Sequence, residues 1–369
     1  MDVETHKVLD IVDFLNKSNF KKIFVICGSN SFNKLPIKED LNNLKEKYNF
    51  EYYFKKNFLP VYEELVDLTI KMKKFEPDVI LAIGGGSVID LAKISNCIEI
   101  SNDLKNHIQN YSYPYKKRFT KLVAIPTTAG SGAESTSNAV IYLDNIKYSF
   151  ESEKLKPDFF FLIPELLLSS SHKINASAGF DALAQAMESL IAVKSNEQSI
   201  LYSKKSIELN EKYFLKFLEN PSHELSAKML ISSNLAGRAI DITKTTIPHA
   251  VSYPFSTNFG FSHGHAVSLF FEDFFEYNFN NLNRSSSSFD LSERFHLLFK
   301  IFKSKNIEEF KLKIKNIKLK ADLKDNLSIQ NININKNLDK ILNGVNLLRL
   351  SNNPIKISKN DIIKIITSK

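Results

Sequence analysis

The chain has 369 residues, more than one hydrophobic core usually supports, and 43% of them are hydrophobic, enough for two. Its formal net charge of +8 comes from scattered lysines, with no arginine-rich arm and no basic residues interleaved with aromatics, which speaks against nucleic-acid binding. No run reaches the roughly 18 to 20 uncharged apolar residues that span a bilayer, and no basic cluster with an apolar run opens the chain, so a cytoplasmic protein away from membranes is expected. The basic charge is compatible with a small anionic substrate, but an AT-rich genome that favours Lys, Asn and Ile is the simpler explanation, so the charge decides little.

Three short apolar runs punctuate the first third: Lys22 to Ile26, Val79 to Ile83, and Leu122 to Ile125. They are rich in β-branched residues and bounded by Gly or Pro, the pattern of buried parallel strands. Between them, Val61 to Phe75 has helical spacing, so an α/β domain with a parallel sheet is predicted. After about Ile163 strand signals fade. Helical patterns follow at Gly179–Val193, Ser199–Leu218, Ser226–Ile240 and Asp290–Ser304, which gives an all-α second domain. The division falls near Pro164, with domains 1–164 and 165–369. Ser285 to Ser288 reads as a loop, and Lys303 to Lys340 as short solvated helices. Cys27 and Cys97 sit in apolar segments far apart in sequence and read as buried, reduced thiols.

The strand ending at Ile83 runs into Gly84-Gly85-Gly86-Ser87-Val88-Ile89-Asp90, and a helical pattern starts at Leu91. Glycines at a strand-to-helix junction let backbone approach a pyrophosphate, and the free amides of the first helical turn attract its charge. An ordinary tight turn is the competing reading; the buried strand before it and the Ser and Asp after it favour a dinucleotide. The next strand ends in Pro126-Thr127-Thr128-Ala129-Gly130-Ser131-Gly132-Ala133-Glu134, a polar loop able to hydrogen-bond a ribose or phosphate.

Asp181 and Gln185 are four apart in a helical segment and project from one face. His249 and the turn Ser262-His263-Gly264-His265 supply imidazoles from elsewhere. One carboxylate with two or three imidazoles and an open position is an arrangement by which a divalent ion polarises a carbonyl. Gln185 offers a weaker, neutral amide oxygen, or a hydrogen bond to substrate. The alternative makes Asp181 a capping or solvated residue and the histidines unrelated loop residues.

Taken together, Gly84 to Asp90 with Lys93, Pro126 to Glu134, Gly179 to Gln185, and His249 followed fourteen residues later by His263-Gly264 resemble, in order and spacing, the iron-dependent (group III) alcohol dehydrogenases. The resemblance extends from the strand at Lys22 to the tail Asn352 to Asp361. It implies an N-terminal dinucleotide-binding α/β domain, a helical C-terminal domain as in dehydroquinate synthase, and a cleft where nicotinamide meets metal. By the same resemblance Gly85, Gly86, Ser87 and Asp90 match the pyrophosphate loop, Thr127, Thr128 and Ser131 the nucleotide and nicotinamide wall, and Lys147 a lysine near the cofactor ribose. Asp181, His249 and His263 match three of four metal ligands, for Fe2+ or Zn2+. Gln185 stands where the family commonly has a histidine, and Tyr253 where members often carry another. The site is therefore either a three-residue one with Gln185 as a weak fourth ligand, or a poor or metal-free one in which Gln185, Tyr253 and His265 bond the substrate oxygen.

The cofactor implied is NADPH or NADH. Gly28-Ser29-Asn30 lacks the acid that NAD-preferring relatives often place after the first strand, so NADPH is favoured, with Ser29 and Asn30 as donors to its phosphate. Ser135 to Tyr142, Gln185, and Lys244 to Pro254 look similar to phosphonoacetaldehyde reductases, with Lys244 or Arg238 as phosphonate partners. The resulting expectation is an aldehyde reductase, with His265 the leading proton shuttle, working as a homodimer on a small anionic or polar substrate. A dehydroquinate synthase-like lyase and a non-catalytic nucleotide-binding relative are the alternatives.

Overall fold

The computed structural model describes residues 3–144, 146–325, 327 and 332–368. It divides into two compact units, Met1–Ser170 with Ser222–Asn234, and Ser171–Pro221 with Leu235–Lys369.

The first unit contains strands β1 (Lys22–Gly28), β2 (Asn49–Lys55), β3 (Val79–Gly84), β4 (Lys121–Pro126), β5 (Asn138–Leu143), β6 (Ile146–Glu151) and β7 (Phe159–Phe160). Its helices are α1 (Val8–Lys17), α2 (Ser29–Phe32), α3 (Ile37–Asn43), α4 (Tyr62–Phe75), α5 (Gly86–Ser95) and α6 (Leu104–Gln109). Five strands form one parallel sheet in the order β2-β1-β3-β4-β7. The strand period of two sorts the central apolar runs onto both faces. Phe24, Ile26, Ile80 and Ala82 face a core that includes Leu65 and Leu68 of α4 and Leu91 of α5. Ile23, Val25, Val79, Leu81 and Ile83 face a second core with Ile11 and Leu15 of α1 and Leu41 of α3. Burial on both faces is why these strands read as continuous hydrophobic runs.

The sequence reading missed two features. β2 is an edge strand in which Asn49, Glu51 and Phe54 are exposed, so it lacks the continuous apolar signal. β5 and β6 form an antiparallel hairpin, with Tyr142 opposite Lys147.

The second unit is helical. Its long elements are α7 (His172–Ile191), α8 (Glu197–Glu219), α9 (His223–Thr243), α10 (Ile247–Phe259), α11 (His263–Ser268), α12 (Phe271–Asn280), α13 (Leu291–Phe302) and α14 (Ile307–Lys320), with short helices to Lys359–Thr367; α9 gives its first residues to the first unit. α7 is its centre, buried on nearly every side from Asn175 to Ile191. Gly179 admits α8 closely, since a Cβ there would lie 2.2 Å from the Phe214 ring. The stretch from Lys303 is less solvated than predicted. α14 buries Ile307, Phe310 and Ile314, and Lys318 Nζ donates to Glu272 at 2.7 Å on α12, so an apolar stripe and a buried ion pair dock a helix whose composition reads as surface. The positions 326 and 328–331 of that stretch lie outside the described residues. No helix among the described residues is long and apolar enough to cross a membrane.

Candidate functional site

Two constellations of polar groups stand out, one in each unit. In the first, β3 delivers Gly85 as the N-cap of α5 and Gly86 as its first residue. Gly85 has φ −74°, so these glycines serve close approach rather than a left-handed backbone. A Cβ on Gly86 would lie 2.6 Å from Ser131 Oγ, and one on Gly85 3.2 Å from Thr128 Oγ1. Thr127 N donates to Gly84 O at 3.0 Å, pinning the loop after β4 against the loop after β3. The structure thus brings Gly85, Gly86, Ser87, Thr127, Thr128 and Ser131 together at the carboxyl ends of adjacent parallel strands. Val88 and Ile89 N donate to Gly85 O, but the amides of Gly86 and Ser87 have no carbonyl one turn back, and the helix dipole biases them toward an anion. A pyrophosphate fits this chemistry of backbone amides and hydroxyls.

Asp90, one turn into α5, accepts from Val140 N at 3.2 Å. Burial pushes its carboxyl up to about 6, against the opposing pull of Lys93, the Val140 amide and Lys147. Asp90 therefore ties α5 to the hairpin that carries Lys147. Lys93, singled out in the sequence without a role, is wholly buried; its Nζ donates to Thr136 O at 2.8 Å and Asn138 O at 3.0 Å. Ser29 and Asn30 open α2 directly after β1, whose Cys27 pairs with Ile83 of β3. The two thiols are free and buried, and burial pushes each up to about 12.

In the second unit, α7 presents Asp181, Gln185 and Glu188 on one face, because residues spaced four and three apart share a helical stripe. His249 enters from α10, with Nε2 3.1 Å from Asp181 Oδ1. His263 opens α11, with Nε2 3.9 Å from the same oxygen. One donor atom from each of Asp181, His249 and His263 lies within 4.8 Å of the others. Donors about 2.0–2.2 Å from a common ion are separated by roughly 3–4 Å, so modest inward movement completes the set. Gly264 makes the approach possible, since a Cβ there would lie 1.9 Å from Ser177 O and 2.9 Å from Asp181 Cβ. Gln185, four residues on along α7, helps hold the Asp181 carboxyl down, while its own Oε1 is buried without a hydrogen-bond partner. An orphaned amide oxygen beside a carboxylate and two imidazoles is what a divalent cation satisfies. The donor set fits such an ion.

Glu188 was not anticipated. It is 0% exposed; Oε1 bonds His249 Nδ1, and Oε2 accepts from Thr246 N at 2.6 Å and Thr246 Oγ1 at 2.9 Å. With Nδ1–H given to Glu188, Nε2 is the ring nitrogen turned to the ligand cluster. The signal was present in the sequence, since Glu188 continues the Asp181–Gln185 stripe at position i+7. Burial alone would push His249 down, but Glu188 and Asp181 on either side raise it to about 10. Burial would raise Asp181, but His263 and His249 hold it below the usual carboxylate range. Without an ion, a proton sits between two carboxylates; a cation displaces it.

The other candidates divide. Tyr253, one turn beyond His249, lies nearly parallel to the His263 ring at 5.9 Å and 19°. His265 does not join the cluster. Its Nε2 bonds Lys324 O at 2.9 Å, its ring packs edge-on against Phe261, and it lines a separate cavity of about 290 Å³ with His172 and Lys173. Arg238 lies over the Tyr202 ring at 5.9 Å, and Lys244 Nζ donates to Asp241 O at 3.1 Å.

Comparison with known proteins shows the family. Residues 3–164 match the family described as iron-containing alcohol dehydrogenase, and residues 175–369 the Fe-containing alcohol dehydrogenase family, C-terminal. The 4-hydroxybutyrate dehydrogenase of Clostridium kluyveri is 29% identical over 263 residues, 66% of this chain and 70% of that protein. The phosphonoacetaldehyde reductase of Streptomyces viridochromogenes is 28% identical over 226 residues, 58% of this chain; the alignment spans little more than half, 57%, of that relative. The crystal structure of sulfoacetaldehyde reductase from Bifidobacterium kashiwanohense in complex with NAD+ shares the fold, with a TM-score of 0.87 at 21% identity, covering 99% of this chain and 95% of that one. The chain belongs to the iron-containing alcohol dehydrogenase family.

Proposed function

We propose that this protein is a nicotinamide-dependent oxidoreductase that interconverts a small anionic aldehyde and its primary alcohol, with a divalent ion held by Asp181, His249, His263 and the amide oxygen of Gln185. The observation that carries the reading is the convergence of three ligand atoms within 4.8 Å beside the unpartnered Gln185 Oε1. The substrates named for three relatives support the substrate class: 4-hydroxybutyrate, phosphonoacetaldehyde and sulfoacetaldehyde each join an alcohol or aldehyde carbon to an anionic group. Phosphonoacetaldehyde, reduced to 2-hydroxyethylphosphonate, is the substrate we favour, and Lys244 and Arg238 are the proposed cations toward it. NADPH is accepted beside NADH, because Gly28-Ser29-Asn30 places no carboxylate at the end of β1 to repel a 2′-phosphate.

When bound, the ion supplies Lewis-acid polarisation of the carbonyl and the reduced nicotinamide supplies hydride. Asp181 contributes the negative charge that retains the cation, and Glu188 fixes the His249 tautomer. Gln185 gives the fourth donor without charge. Tyr253, stacked on His263, is the proposed proton donor to the product oxygen. His265 comes second in that role: burial lowers it, leaving the ring neutral near pH 7, and its Nε2–H is already given to Lys324. On the cofactor side, the amides of Gly86 and Ser87 with the hydroxyls of Thr127, Thr128 and Ser131 bind and orient the dinucleotide, and Lys147 approaches its ribose.

The test pairs metal analysis of the purified protein with the loss of reduced-nicotinamide absorbance on phosphonoacetaldehyde, sulfoacetaldehyde, succinic semialdehyde and propanal. One ion per chain and faster turnover of the charged aldehydes are expected. A metal-loaded protein that oxidises neither NADPH nor NADH on any of them contradicts the reading. A lyase that returns its hydride within each cycle gives no net absorbance loss, so the same assay separates the two.

A further inference from the structure

The turn between α9 and α10 reaches the metal centre. α9 ends at Thr243, Lys244 adopts a left-handed backbone with φ 65°, and α10 begins at Ile247. A lysine in that region is strained and persists where its surroundings over-determine it. Here the C-terminal tail does so. Asn352 Nδ2 donates to Thr243 O at 2.7 Å and to Thr245 O at 3.0 Å, the two carbonyls that flank Lys244. Asn352 O accepts from Val193 N at 3.1 Å, just past the end of α7. Asn352 is 6% exposed, so these bonds are sheltered from water. The next residue of the turn, Thr246, gives its amide and hydroxyl to Glu188 Oε2, and Glu188 Oε1 bonds His249 Nδ1.

We propose that Asn352 is a positioning residue of the metal centre, acting through the Thr243–Thr246 turn and Glu188 on the orientation of His249; this rests on the reading of Asp181, His249 and His263 as metal ligands. The tail does not depend on Asn352 for anchorage. Asn353 exchanges two amide bonds with Asn278 of α12, at 2.7 and 3.1 Å, and its Nδ2 also donates to Ile355 O at 2.7 Å. Asn352 is thereby free to act on the turn.

The experiment uses the full-length chain, wild type and the variants Asn352→Ala, Glu188→Gln and the double variant, stripped of metal and titrated with cobalt(II), whose visible spectrum reports ligand geometry. Circular dichroism confirms the fold of each. Loss of a residue that orients a metal ligand typically weakens metal binding 10- to 100-fold. Asn352→Ala is expected to weaken cobalt binding about tenfold and alter the spectrum, and the double variant to bind no more weakly than Glu188→Gln alone. Wild-type cobalt affinity in folded Asn352→Ala, or losses that multiply in the double variant, overturns the proposal. Asn352→Ser keeps one donor and is expected to lose less; if Asn352→Ala does not fold, equal affinity of the serine variant and wild type is the overturning result. A metal-independent readout is the His249 Nδ1–H resonance in 15N-histidine-labelled, metal-free protein, expected in wild type and displaced in Asn352→Ala. If wild type binds no cobalt, the metal reading fails, and an unchanged resonance in the variant then overturns the positioning role by itself.

Discussion

At the start of α5 the groups facing the proposed ligand are backbone amides and neutral hydroxyls, crowded together by glycines whose Cβ positions are already filled by Ser131 and Thr128. On α7, α10 and α11 they are a carboxylate and two imidazoles, with Glu188 behind one of them. The first region distributes its work over many weak donors on two adjacent loops. The second concentrates it in a few ionisable groups from three helices, so loss of one leaves buried charges such as Asp181 or His249 unbalanced. The two regions should therefore respond very differently to single substitutions.

The largest difference is expected for Asp181→Ala. Without the central carboxylate, kcat/KM is expected to fall about 10³-fold or more, equivalent to roughly 4 kcal/mol, while NADPH affinity measured by nicotinamide fluorescence changes less than about threefold. A parallel loss of NADPH affinity would break the contrast. Gly264→Ala comes next. Its Cβ would meet the Ser177 backbone oxygen at 1.9 Å, which has nowhere to retreat, so α11 must shift. We expect a stability loss of about 1–3 kcal/mol by denaturant titration together with loss of metal. Glu188→Gln keeps shape and removes charge, and a 10- to 100-fold weaker metal affinity by calorimetry is expected.

The pH response sharpens the comparison. In the metal-free protein the folded-state pKa of His249 is raised from 6.5 to about 10, so its contribution to stability is complete below about 6.5 and is lost as pH rises through 10. The metal-free Tm is therefore expected to decline in that interval. Metal affinity runs the other way, rising up to about tenfold per pH unit over the same range as the displaced proton becomes easier to release. A metal affinity independent of pH between 7 and 9 contradicts this assignment. The smallest effect belongs to the nucleotide loop: Ser131→Ala removes one of several hydroxyls and is expected to weaken NADPH by about 0.5–1.5 kcal/mol, with metal content unchanged.

The contrast also explains what the sequence disclosed. The α5 loop is contiguous and follows a strand whose apolar run is visible, so the glycine turn at Gly84 to Gly86 was legible as a candidate phosphate cradle from local pattern, whereas Thr127 and Thr128, in a polar loop unspecific by itself, gained a role only through family resemblance. The central strands β1, β3 and β4 were legible for the same reason, whereas the edge strand β2, half exposed, was not. In the second unit, Asp181 and Gln185 were visible as a helical pair, but His249 and His263 were tied to them by family resemblance. Nothing local says that α10 and α11 meet α7. Glu188 lay on the visible stripe yet drew no role, because burial of a charge cannot be read without its partners Thr246 and His249. His265 drew attention by its neighbour His263, but two residues along a helix is about 200° of rotation, which turns its ring toward Lys324 instead.

The most direct measurement of the central claim is a titration of metal-free wild type and His263→Ala with ferrous ion and, separately, zinc, followed by anaerobic calorimetry and elemental analysis. The shared site requires one ion per wild-type chain and at least about a hundredfold loss of affinity in the variant. Binding of no ion by wild type, or equal binding by His263→Ala, would contradict a metal centre built on Asp181, His249 and His263.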